Sequence, residues 1–151
     1  MDNIKFNKLL NEKYMLLQSI AKKFDYSDEL LTMITLTYVA FYISLGKDCD
    51  VPLYDLFNSV QIIYEEGNVS EIATRHNLGA VPKGGVAVTI FIPNLKLFKD
   101  ATQKQYPQAI ILGTHVNDSI ATPVLKLEML IHEIRHALMG YYNTHILIDD
   151  N

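Results

Sequence analysis

Between Leu30 and Leu45 the chain runs for sixteen residues without a charged side chain. A helix built from that stretch is apolar nearly all round, so the rest of the fold must cover it on more than one side. It is shorter than the ~20 residues that span a bilayer. Thr32, Thr35, Thr37 and Ser44 dilute it further, and a buried core helix is the expectation. A chain of 151 residues that is 49% hydrophobic and 20% charged can supply the cover from a single compact domain, residues 1–151.

The flanking segments carry their own periods. From Ile4 to Phe24, residues Phe6, Leu9, Leu10, Tyr14, Leu17, Ile20 and Ala21 recur at helical spacing. Ser27 reads as the N-cap of the apolar helix, with Asp28 and Glu29 in its first turn and Gly46 as its stop. Val51-Pro52 opens a third helix that runs through Leu53, Leu56, Phe57, Val60 and Ile63 to near Gly67. Ser70 to Ala73 opens a short helix that stops around Gly79. The texture then changes. The β-branched run Val86 to Ile92 and the segment Gln108 to Thr114 read as strands. Thr122 and Pro123 start a last amphipathic helix, for which Gly140 is a suitable C′ residue. The predicted class is α+β: a helical N-terminal half, a small mixed or antiparallel sheet, then a buried helix.

Composition excludes some partners. Thirteen basic and seventeen acidic residues give a net charge of −4, which argues against a broad phosphate-binding surface. The segment Ser70 to Gly79 resembles the first helix and turn of a helix-turn-helix, but a β-branched run follows where a recognition helix would be needed. Nucleic acid is therefore not an expected partner, and neither is a membrane. Gly84-Gly85 lacks the spacing of a phosphate loop. The single cysteine, Cys49, forms no internal disulfide, and Asp48 and Asp50 beside it disfavour a thiolate. Lys8, Glu12 and Lys13 interrupt any signal-peptide core, so a soluble, cytoplasmic protein is expected.

The chemistry concentrates in the last helix, at His132-Glu133-Ile134-Arg135-His136. Four residues is slightly more than one turn, so His132 and His136 project from one face and can hold one metal ion through ring nitrogens. Zinc, Zn2+, suits imidazole. Glu133 points differently and can act as general base on a water at that site. An amide carbonyl is the natural target, with substrate extended along the strand near Ala109 to Leu112. The bland reading is two surface histidines beside an ordinary Glu-Arg pair.

The segment Leu130 to Leu138 resembles the active-site helix of zincin metallopeptidases, the HExxH superfamily. The resemblance covers about ten residues. It implies a sheet beside the helix, His132 and His136 as zinc ligands, Glu133 as catalytic base, and a peptide or protein as substrate. A zincin also needs a third ligand. Met139 and Tyr142 stand where the metzincin pattern has Gly and His, which excludes that subclass. A gluzincin-like set would need a downstream Glu, and none follows His136. His145, Asp149 and Asp150 remain as donors within the chain, His145 being chemically the best provided the chain reverses after Gly140. The other alternative is a donor beyond Asn151, the domain then being C-terminally truncated. His76 and His115 read as surface or hydrogen-bonded residues, Tyr141 and Tyr142 as packing at the helix end, and Arg135 as a solvated or ion-paired side chain. The expected function is a zinc metallopeptidase. The alternative is a catalytically inactive zincin-like binding or regulatory module with a partial metal site.

Overall fold

The computed structural model describes residues 1–78, 87–91, 108–114 and 123–149, with side chains in the last segment described from 125 to 138. The class is α+β. The chain packs as two compact units, Met1–Asn58 and Ser59–Asn151, where the sequence reads as one domain.

The first unit is helical. Helix α1 (Asn3–Phe24) begins at Asp2, whose side chain accepts from the Lys5 amide, and ends at Asp25 in the left-handed region, with φ 58°. Helix α2 (Asp28–Leu45) is capped as expected: the Ser27 side chain accepts from the Leu30 amide, and Gly46, at φ 84°, closes the other end. Among the described residues α2 alone is long and apolar enough to cross a membrane. Its residues Leu30, Leu31, Met33, Ile34, Tyr38 and Val39 are buried, as in a core helix. A 3-10 turn (Lys47–Cys49) leads into α3 (Asp50–Ser59), which buries Leu53, Leu56 and Phe57.

One polar cluster ties these helices together. The Lys13 ammonium on α1 is buried and donates to both carboxylate oxygens of Asp50 on α3, at 3.0 and 2.9 Å. It also lies 4.4 Å from the centroid of the Tyr42 ring. The Tyr38 hydroxyl on α2 bonds the same Asp50 carboxylate and its backbone carbonyl. Burial by itself raises the Asp50 carboxyl; the hydrogen bonds from Tyr38 and Lys13 and the Lys13 charge outweigh it and hold the group below its usual range. Burial, then the bond to Asp50 and its charge, push the Tyr38 phenol up. Cys49 is a buried thiol whose burial raises it, in keeping with the absence of a thiolate.

The second unit holds the sheet. Strand β1 (Val60–Glu66) occupies the segment whose spacing predicted the end of the third helix. The spacing of Leu53, Leu56, Phe57, Val60 and Ile63 suits a helix, but Val60, Ile62 and Ile63 are β-branched and find a strand to pair with, which settles the conformation. Gly67 turns the chain at φ 122°, where a Cβ would stand 2.7 Å from a Glu71 carboxylate oxygen. Helix α4 (Val69–Arg75) starts one residue before Ser70, because Asn68 and Glu71 form a reciprocal capping box. Strands β2 (Ala87–Phe91) and β3 (Gln108–Thr114) lie where the sequence placed them.

The sheet order is β1-β3-β2, with β1 parallel and β2 antiparallel to β3. β3 is thus central, and Ala109, Ile110, Ile111 and Leu112 are all buried. This corrects one expectation: a strand paired on both sides has no free main-chain groups, so an extended substrate cannot add to Ala109–Leu112.

Helix α5 (Pro123–Asp149) starts at Pro123 and runs through Gly140 rather than stopping there. A glycine inside a helix costs about 1 kcal/mol relative to alanine, which weakens a helix without ending it.

Removing the Lys13 ammonium takes from the half-buried Asp50 carboxylate its cationic donor and leaves it the Tyr38 hydroxyl. Lys13→Met is expected to destabilise the protein by about 2 kcal/mol, read by urea unfolding. Because the folded Asp50 carboxyl titrates below its unfolded value, its contribution is complete above the unfolded pKa and vanishes as pH falls through the lower folded one. Asp50→Asn should therefore remove part of the acid sensitivity of unfolding below about pH 4. A stability curve of unchanged slope there would contradict this assignment.

Candidate metal centre

Register fixes which sheet residues face α5. Thr89 on β2 pairs across to Ile110 on β3, which pairs to Ile62 on β1; Ala87, Leu112 and Tyr64 form the neighbouring row of the same face. Two polar contacts confirm that α5 covers it. The Lys126 ammonium donates to the Tyr64 hydroxyl at 2.9 Å, and the Thr89 hydroxyl donates to a Glu133 carboxylate oxygen at 2.5 Å. Lys126, Leu130, Glu133 and Ala137 recur at spacings of three and four, the spacing that lays one stripe of a helix against a sheet. Leu130, Ile134 and Ala137 are fully buried.

His132 and His136 leave the sheet and stand exposed, about 40° apart around the helix axis. Their Nε2 atoms are 3.0 Å apart, with ring centroids 4.6 Å apart and planes at 79°. Two nitrogens each about 2.05 Å from one tetrahedral zinc ion are about 3.3 Å apart. The rings therefore already converge to nearly that bite. The same spacing suits a neutral pair in which one ring N–H donates to the other ring.

Glu133 is 7% exposed. It sits about 60° from His136 around the axis, between the histidine stripe and the sheet. Its Oε2 is held by Thr89, whose hydroxyl oxygen is also 3.1 Å from the Glu133 backbone carbonyl. Thr89 was not singled out by sequence reasoning. The signal was there: it is the one polar residue in the run Val86 to Ile92.

The third donor is not so placed. Among the described residues no three His, Cys, Asp or Glu side chains converge on a metal position. The side chains of His145 and Asp149 lie outside the described residues, as do Asp150 and His115. The reversal after Gly140 that would return His145 to the pair does not occur, since α5 continues to Asp149. On a continuous helix position 145 is about 13.5 Å farther along the axis than His136 and on the opposite side.

The remaining residues behave plainly. His76 bonds Glu65 at 2.7 Å, and Arg75 lies 3.4 Å from the same carboxylate, so that histidine has a structural partner. Arg135 is exposed. Tyr38 is a core residue stacked on Phe57, with centroids 5.9 Å apart. Among the described residues the element that follows α4 is strand β2; Gly79 and Gly84-Gly85 lie outside the described residues.

If the two imidazoles share an ion, each contributes to its retention. His132→Ala and His136→Ala should each weaken zinc binding roughly 100-fold or more, by calorimetric titration. Retention of full affinity by either variant would exclude the pair as the site.

Compared with family models, curated proteins and solved structures, the chain matches none.

Proposed function

We propose that this chain is a zinc-dependent metallopeptidase of zincin type. The observation that supports it most is the convergence of His132 and His136 to a 3.0 Å separation, with Glu133 set between them and the sheet. On this reading His132 and His136 hold the metal. A zinc ion bound there supplies a water of pKa about 7 and a Lewis acid for the scissile carbonyl. A catalytic zinc takes three protein ligands, of which the described residues supply two, His132 and His136.

The chain's own residues do the proton work. Thr89 occupies Oε2 of Glu133, which leaves Oε1 to take a proton from the attacking water. The same oxygen then returns the proton to the leaving amine nitrogen as the peptide C–N bond breaks. An extended peptide would add to the outer edge of β2, which is paired on one side among the described residues and carries Thr89.

A second reading rests on one observation: among the described residues the site has two donors rather than three. Two imidazoles suffice for a partial metal site in a non-catalytic binding or regulatory module. Glu133→Gln separates the two. With dye-labelled casein as probe, the peptidase reading expects hydrolysis to fall at least about 1000-fold while bound zinc is unchanged. Hydrolysis that continues undiminished in that variant, or none in the zinc-loaded wild type, leaves the binding module.

A further inference from the structure

We propose that Thr89 is the positioning residue of Glu133, fixing which carboxylate oxygen faces the reacting water. The inference rests on the peptidase reading above for its catalytic meaning and on geometry for its contact. A glutamate side chain has three rotatable bonds, and an unanchored carboxylate spreads over many positions. Thr89 removes that freedom at the carboxylate end. Its Oγ1 lies 2.5 Å from Oε2 and 3.1 Å from the backbone carbonyl of the same residue, so tip and root of Glu133 are measured from one atom. The carboxylate oxygen is the nearer acceptor and takes the single hydroxyl proton.

The anchor is itself rigid. Thr89 lies mid-strand in β2, where its register with Ile110 places its side chain on the face toward α5. Its β-branched side chain has restricted χ1 freedom. The neighbouring groups on α5 offer no substitute: Leu130, Ile134 and Ala137 are apolar. Among the described residues Lys126 also reaches from α5 to the sheet, but it contacts Tyr64 on β1, at the opposite edge from β2. Position along the helix agrees, because Lys126 and Glu133 are seven residues and about 10.5 Å apart.

The test compares Thr89→Val, which keeps the shape and loses the hydroxyl, with Thr89→Ser, which keeps the hydroxyl. With casein as probe, Thr89→Val should lower kcat by about 10- to 100-fold, with KM and zinc affinity within about 3-fold of wild type. Thr89→Ser should recover most of kcat. A purely structural role would move both variants alike, or move KM and zinc affinity together, and either result overturns the proposal. A second measurement is independent of activity. In a thermal-unfolding cycle over Thr89→Val and Glu133→Gln, the loss in the double variant should be clearly smaller than the sum of the single losses. Strict additivity overturns the positioning contact whatever the catalytic result. Coupling without hydrolysis by the zinc-loaded wild type preserves the contact and overturns the peptidase reading alone.

Discussion

Everything that makes this chain chemically interesting depends on how α5 lies on the three-stranded sheet. The helix presents a stripe of Leu130, Ile134 and Ala137 that is removed completely from water. At about 25 cal/mol per Å2 of apolar surface, burial of this kind dominates the energetics of seating the helix. It does not, however, choose the helix's rotation finely, because apolar contact has no direction. Direction comes from two polar contacts at the sheet's two edges, Lys126 to Tyr64 on β1 and Thr89 to Glu133 on β2. With rotation set that way, His132 and His136 are delivered to the solvent side as a converged pair and Glu133 to the boundary.

This arrangement places a buried carboxylate one residue from one exposed imidazole and three from the other. A buried carboxyl group is costly unless it is hydrogen-bonded, and Glu133 accepts from the Thr89 hydroxyl. The hydroxyl that makes the burial tolerable is the same group that orients the carboxylate. In the first unit the same physics has a different use. Lys13, Asp50 and Tyr38 satisfy one another inside the three helices, and the cluster joins α1, α2 and α3 through polar contacts with fixed geometry. Side chain 38 contributes to both kinds of packing, since its ring stacks on Phe57 while its hydroxyl reaches Asp50.

Several elements were legible from residues alone. The caps at Ser27 and Gly46, the strands at 87–91 and 108–114 and the start of α5 at Pro123 each have a local cause. The failures share one physical reason, which is that the deciding interaction is non-local. Val60 to Glu66 became a strand because β3, more than forty residues later, offered it a parallel partner. Gly140 failed to end α5 because a glycine's local preference, about 1 kcal/mol, does not by itself decide a helix of 27 residues. The central place of β3 leaves β1 and β2 as the edges among the described residues and so moves away from β3 the strand that an extended ligand could join.

The candidate site divides along the same line. Two imidazoles one helical turn apart, with a carboxylate between them, are a property of covalent order and helical pitch, and residues 132 to 136 determined that much unaided. Which side of the helix would be wet, and what would hold the carboxylate, depended on a threonine forty-four residues earlier on a strand. Only the tertiary structure could decide it, because helix rotation is set by what the helix lies against. A sequence period specifies an apolar face, but not the hydroxyl waiting at its edge.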